Sequence, residues 1–353
     1  MRNWRIDAVA LAIGLILSGG SQALAWDRGD VDILAVVPDV TPGVASVVEG
    51  LTVGPDGNIY VPSFGFNNRG ALSGNAVLYV FRPNGSLVRQ VTIAGSSPHM
   101  LGLAFNPKTG DLLACDFGAG VLLKVNPVNG NSSVFMTPTL MGSGLNALTF
   151  DKAGNVYVSD SFNGVIWKTG PRGGTPTAWS SDPLLGPGTG LTPPFGANGV
   201  EFNNAGTILF VANTAFHQII QIPVQADGSA GKASIFITGI NAPDGIAIDH
   251  DDNLWVCANQ EDEIVVLDKQ GKVIAKLGDF NGISQDGLVR GLLFPASLAF
   301  SRDRRTLYVS NLTLFLPFAG ANAAIDSEWT LEVSRYTVAK IRAEIPFQKD
   351  DSR

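Results

Sequence analysis

Pro243-Asp244-Gly245-Ile246-Ala247-Ile248-Asp249, followed by Asn253-Leu254-Trp255-Val256, carries the alternation that decides the fold. Large and small apolar residues alternate with a period of two, a polar turn intervenes, and a second apolar strand follows, which is the pattern of a β-hairpin. The same pattern returns along the chain. It reads Glu49-Gly50-Leu51-Thr52-Val53 before Ile59-Tyr60-Val61, and Leu101-Gly102-Leu103-Ala104-Phe105 before Leu112-Leu113-Ala114-Cys115. It reads Asn146-Ala147-Leu148-Thr149-Phe150 before Val156-Tyr157-Val158, and Asn198-Gly199-Val200-Glu201-Phe202 before Leu209-Phe210-Val211. A last copy, Ala296-Ser297-Leu298-Ala299-Phe300, precedes Leu307-Tyr308-Val309.

The first residues of the six copies (49, 101, 146, 198, 244 and 296, here the anchors) are spaced by 52, 45, 52, 46 and 52 residues. Repeats of this period with strand alternation indicate a ring of structural units. A second hairpin follows the first, as in Leu78 to Phe81, the Pro83-Asn84-Gly85 turn and Val88 to Ile93. Four strands per repeat predict an all-β fold, a six-bladed β-propeller of four-stranded antiparallel blades around a central channel. Asp32 to Val37 and Ala343 to Phe347 are alternative strands for closing the ring. Composition agrees: 45% of the 353 residues are hydrophobic and only 16% charged, with 41 glycines and 20 prolines to supply turns. The net charge of −7, without a basic block, excludes a general nucleic-acid binder.

Every anchor is followed by a small residue: Gly50, Gly102, Ala147, Gly199, Gly245 or Ser297. Six innermost strands crowd at the axis of a propeller, so bulk is excluded there, and the anchors converge on one mouth of the channel. Glu49, Asn146, Asn198 and Asp244 bear oxygens, whereas Leu101 and Ala296 do not. Two carboxylates and two amides without His or Cys form a hard-cation site, for Ca²⁺ first and Mg²⁺ or Mn²⁺ next. Taken singly, each of these residues is more often a turn or cap residue, and it is their shared repeat position that points to a cation, for which a structural staple of the ring is the lesser alternative. Cys115 and Cys257 fall in opposed blades, too far apart for a disulfide, and are expected as buried free thiols.

Residues 1–25 read as a secretory signal peptide: Arg2 and Arg5, an apolar run from Ala8 to Leu17, and a small-residue site at Ala23-Leu24-Ala25. The expectation is an exported protein, periplasmic or secreted, with residues 26–353 forming one propeller and no membrane span in the mature chain.

These motifs resemble the senescence-marker-protein/gluconolactonase/luciferin-regenerating-enzyme-like family of six-bladed propellers, related to paraoxonase-like lactonases, over about residues 40–312. Glu49-Gly50 matches the family's first-blade metal glutamate, Asn198-Gly199 its metal asparagine, and Asn146 its third-blade asparagine. Pro243-Asp244-Gly245 through Trp255-Val256 is similar to the family signature whose first Asp is a metal ligand and catalytic carboxylate. The resemblance implies calcium-assisted hydrolysis of a lactone or related ester, with Asp244 as the base and His99, on the same mouth, as a second candidate base. His217 and His250 read as ordinary strand and turn residues.

Two departures from the family stand out. Ser143 to Ala147 lacks the arginine that helps relatives hold sugar lactones, and Ala296 stands where phosphotriesterase-type relatives place a histidine. The loops 63–75, 182–197, 278–295 and 312–327 are expected to form a lid over this face. The last is rich in Leu and Phe, which suggests a small-molecule substrate with an apolar group. A non-catalytic binding propeller similar to NHL-repeat modules and a strictosidine-synthase-like enzyme are the alternatives on the same scaffold.

Overall fold

A computed structural model describes residues 28–189, 194–321 and 325–345. Residues 1–25, read from the sequence as a signal peptide, lie outside them. Six four-stranded antiparallel sheets are arranged as a propeller. Blade 1 holds Thr52–Val53, Ile59–Pro62, Val77–Phe81 and Leu87–Thr92 from the axis outward. The inner strands of blades 2 to 6 are Met100–Phe105, Leu145–Phe150, Ala197–Phe202, Pro243–Ile248 and Pro295–Phe300. Among the described residues no helix is long and apolar enough to cross a membrane.

Strand alternation explains how the ring coheres. Along the second strand of blade 2, Leu112 and Ala114 pack toward blade 1, whereas Leu113 and Cys115 pack toward blade 3. Each blade is therefore apolar on both faces, and each junction between neighbouring blades contains a buried cluster. Cys115 belongs to the junction of blades 2 and 3, and Cys257 to that of blades 5 and 6, and both are buried free thiols as expected.

The hairpin turns share a staple. Asp249 accepts from the backbone N–H and side-chain amide of Asn253 and from Trp255 Nε1 at 3.0 Å. Asp56 does the same for Asn58 and Tyr60. One carboxylate thus holds the turn and satisfies the polar tip of the buried aromatic on the second strand.

Closure uses the N-terminal strand. Val31–Val36 is the outermost strand of blade 6 and pairs with Thr337–Arg342, from Val31 opposite Ile341 to Val36 opposite Thr337. The alternative at Ala343 to Phe347 is corrected in its described part, since 343–345 form no strand. The blade takes its third strand from Thr337–Arg342 instead, so the two ends of the chain are tied in one sheet.

The small residues after the anchors have the geometric cause that crowding demands. A Cβ added at Gly102 would lie 2.6 Å from the Asn146 carbonyl oxygen, and one at Gly245 would lie 2.6 Å from that of Ala296. At Gly50 and Gly199 it would come closer still to the carbonyls of Leu101 and Asp244. Each of these four glycines faces the backbone of the next blade's anchor, which is why bulk is excluded there.

Candidate functional site

A β-bulge turns the anchors toward the axis. The pairing of first and second strands slips between Leu145 and Leu148, between Ala197 and Val200, between Pro243 and Ile246, and between Met100 and Leu103. Each slip contains an anchor and its small neighbour, and bulges re-aim side chains in this way. In blade 3 the Ser159 hydroxyl accepts the Ala147 N–H at 3.0 Å, and Ser310 does the same for Ser297 in blade 6. The bulged backbone donors therefore remain satisfied.

Glu49, Leu101, Asn146, Asn198 and Asp244 line one cavity of about 800 Å³ at the mouth of the channel, together with His99. Ala296 is fully buried and does not line it. The polar anchors are held from behind. Asp244 Oδ2 accepts from Asn259 Nδ2 at 3.2 Å, and the same amide donates to the Pro295 carbonyl. Asn198 Nδ2 donates to Thr214 Oγ1 at 3.0 Å, and that hydroxyl donates to the Pro243 carbonyl at 2.8 Å.

Two carboxylates are buried together here. Burial pushes the Asp244 carboxyl up to about 8, while the nearby amides of Asn198 and Asn259 pull it down. Burial, and then the neighbouring Asp244, raises Glu49 well above the usual carboxylate range. Asp244 Oδ1 is buried without a hydrogen-bond partner, an arrangement that costs free energy unless something occupies it. Among the described residues no group of three or more His, Cys, Asp or Glu side chains comes together, so any cation here would rely on the two amides as well. The donor set and the orphaned oxygen fit a hard cation held by Glu49, Asn146, Asn198 and Asp244.

The ring of His99 stacks on Phe66 with centroids 4.6 Å apart. Its Nδ1 lies 2.9 Å from the Phe64 carbonyl oxygen. A carbonyl can only accept, so Nδ1 donates, and in the neutral ring Nε2 is the acceptor.

Phe64, Phe195 and Leu312 fall in expected lid segments, whereas Phe117, Phe162, Thr214 and Asn259 escape sequence reasoning. The residue just beyond the second strand, or one place further on in blade 1, is Phe64, Phe117, Ser161, Thr214, Asn259 or Leu312 in the six blades, and all but Ser161 line the cavity. The aligned second strands contained this signal. Phe162 and Phe195 extend the aromatic wall, where Phe117 lies 5.0 Å from Phe162 and the rings of Phe162 and Phe195 stack. His217 also lines the cavity, which corrects its reading as an ordinary strand residue, whereas His250 is an exposed turn residue beside Asp251.

Three of the four expected lid segments reach the cavity, through Phe64 and Phe66, through Phe195, and through Leu312, Leu314, Leu316 and Phe318. The fourth is corrected. Segment 278–295 forms a small hairpin, Phe280–Ile283 with Val289–Gly291, which does not line this cavity. Phe280 stacks on Trp329 instead, at 5.4 Å.

A propeller with buried carboxylates and amides at one mouth of its channel defines a class, and comparison with known proteins supplies the family. Residues 96–278 match the family model described as SMP-30/Gluconolactonase/LRE-like region, and the chain belongs to that family. An 86-residue stretch, 23% of this chain, is 30% identical to "Lactonase drp35" of Staphylococcus haemolyticus (strain JCSC1435) and covers only 26% of that protein. Among solved structures, a gluconolactonase from Xanthomonas campestris superposes with a TM-score of 0.59 at 12% identity, over 85% of this chain and 86% of that one. Regucalcin of Agrobacterium tumefaciens, described as a calcium-binding protein, gives 0.59 at 17% identity, over 86% and 92%. Virginiamycin B lyase from Staphylococcus aureus gives 0.54 at 15%, over 86% and 83%. Identities this low establish the shared fold alone.

Proposed function

We propose that this protein is an exported, metal-dependent hydrolase that opens a lactone or related ester carrying an apolar group. The observation that carries the reading is the convergence of Glu49, Asn146, Asn198 and Asp244 on one cavity, with a buried, unpartnered oxygen on Asp244. The family, and the lactonase and the calcium-binding protein it resembles, support the chemistry and the choice of Ca²⁺ over Mg²⁺ or Mn²⁺. When bound, the cation supplies Lewis-acid polarisation of the acyl carbonyl.

The chain's own residues do the rest. Asn259, bonded to Oδ2, fixes the Asp244 carboxylate, which takes a proton from the attacking water as general base. The water oxygen forms the new bond to the acyl carbon, the ester C–O bond breaks, and the departing alkoxide takes the proton back to give a hydroxy acid. His99, with Nδ1 committed to Phe64, offers Nε2 as a second acceptor. Phe64, Phe117, Phe162 and Phe195 face the apolar part of the substrate and exclude water from it.

The basic start and apolar run in residues 1–25 support export. The mature protein is expected to begin at Trp26, which the mass of the protein recovered from the host's periplasm or medium checks. The decisive experiment is a panel of lactones and aryl esters assayed with and without a chelator. Hydrolysis that the chelator abolishes and Ca²⁺ restores is expected. Absence of hydrolysis across the panel from metal-loaded protein would exclude the enzyme reading.

A further inference from the structure

His217 occupies a position the hydrolase reading leaves without a role. It follows the second strand of blade 4, Ile208–Asn213, and has a left-handed backbone at φ 57°. That conformation is uncommon for a residue with a side chain and is typical of functional or tightly constrained sites. Its carbonyl accepts from the Gly239 N–H at 2.8 Å, and its ring Nδ1 accepts from the Ala242 N–H at 2.9 Å. Ala242 is itself left-handed, at φ 46°, and stands two residues before Asp244 on the same strand approach. Two bonds therefore fasten His217 to the segment that delivers Asp244.

The Ala242 bond also fixes the tautomer. A backbone N–H can only donate, so Nδ1 is unprotonated, and in the neutral ring the hydrogen sits on Nε2. Among the described residues no protein group takes that Nε2–H, and the ring lines the cavity. His99 is wired the opposite way, with Nδ1 donating to Phe64. One cavity thus receives an imidazole acceptor from blade 2 and an imidazole donor from blade 4.

Resting on the hydrolase reading, we propose that His217 is a fixed neutral hydrogen-bond donor of the catalytic site, its Nε2–H directed to the substrate oxygen on which negative charge grows. A neutral imidazole gives up its second proton too reluctantly to act as a general acid. As a donor set in place before reaction it needs no reorganisation, and such donors are worth roughly 10²–10³-fold in kcat.

Two isosteric variants separate this role from a structural one. His217→Asn places an acceptor where Nδ1 stood, keeps the Ala242 bond and tolerates the left-handed backbone, but has nothing at Nε2. His217→Gln restores an N–H near the Nε2 position and loses the Ala242 bond. On any panel substrate that the wild type hydrolyses, His217→Asn is expected to lose roughly 10²-fold in kcat with little change in KM and no loss of Tm. His217→Gln is expected to recover most of that kcat while melting lower. The orders of activity and stability are then opposite.

Full activity in His217→Asn, or activity that tracks Tm across both variants, overturns the donor role while leaving the hydrolase reading intact. A wild type inert across the whole panel overturns both. Nitrogen-15 spectra of the full protein provide a readout apart from turnover: His217 is expected as the Nε2–H tautomer, and a ring protonated at Nδ1 overturns the assignment.

Discussion

The two halves of the channel mouth share a backbone and differ in chemistry. Blades 3, 4 and 5 present Asn146, Asn198 and Asp244 as anchors and carry Ser161, Thr214 and Asn259 just beyond their second strands. Blades 6, 1 and 2 carry Leu312, Phe64 and Phe117 at that same position (one place further on in blade 1), and two of their anchors are Ala296 and Leu101. Glu49 is the exception, a carboxylate delivered from the apolar half. In blades 4 and 5 the two positions bond to each other, Thr214 to Asn198 and Asn259 to Asp244, which fixes the side chains, while Ser161 of blade 3 donates to the Ala197 carbonyl of blade 4. In the apolar half they pack, and Leu314 and Leu316 from the lid segment are added to them. A repeated scaffold thus needs two variable positions per blade to divide one cavity into a polar side, the reacting side of the proposed hydrolase, and an apolar, holding side.

The sharpest way to break this division is to neutralise the reacting side. Asp244→Asn keeps the size of the side chain and leaves Asn259 close to its present partners. Turnover is expected to fall by roughly 10³-fold or more, because the proposed base and one carboxylate of the proposed cation site are lost together. The circular dichroism spectrum and cooperative melting should persist, since the junction clusters do not include Asp244. An Asp244→Asn variant with wild-type kcat would remove the reacting side from blade 5.

How much of this the sequence disclosed follows from what each position is asked to do. The six blades were legible because every inner strand repeats the alternation that buries Leu103, Leu148, Val200, Ile246 and Leu298 between neighbours. The anchors were legible because each precedes a residue kept small by the next blade's carbonyl, as at Gly102 and Gly245. The position beyond the second strands was not legible as a repeated one, because Phe in two blades, Thr, Asn and Leu share no common chemistry and look like loop beginnings. Ring closure was left open because its two strands, Val31–Val36 and Thr337–Arg342, stand at opposite ends of the chain, and the second follows a long insertion. His217 was misread because its role comes from a left-handed backbone and a tertiary hydrogen bond, neither of which a one-residue pattern encodes.

The holding side is tested by Phe117→Ala. This ring contacts Phe64, Phe162 and Phe195 and is only half-buried, so its removal should widen the cavity without unfolding the blade. Losing the contact area of one aromatic face costs about 1–2 kcal/mol of binding. KM for esters with an aryl or long alkyl group should therefore rise roughly tenfold, with kcat nearly unchanged. A small unsubstituted lactone should show little change. Equal losses on both substrates would mean that the aromatic wall shapes the reacting side as well.

The smallest expected effect concerns a carboxylate that belongs to the polar half but to neither of its two variable positions. Glu201 follows Asn198 by three residues on the inner strand of blade 4 and accepts from Thr149 Oγ1 of blade 3 at 2.9 Å. Burial pushes its carboxyl up to about 7, against the opposing pull of hydrogen bonds from Thr149 and the Phe202 N–H and of Arg304. The folded state therefore holds the proton more tightly than the unfolded chain does. This contribution to stability is fully present below the unfolded value of about 4.5 and is lost as pH rises toward 7. Residual exposure of Glu201 to the channel trims the effect to about 1–2 kcal/mol. Glu201→Gln keeps the acceptor for Thr149 and removes the titration. Urea midpoints measured at pH 5 and pH 8 should draw closer together in the variant, with the variant the more stable of the two proteins at pH 8. The panel activities should follow the wild type, because Glu201 does not line the cavity. A wild type and variant with parallel pH profiles of stability would show that the channel below the anchors is wet enough to solvate a charge, and that the dry part of the polar half ends at Asn198 and Asp244.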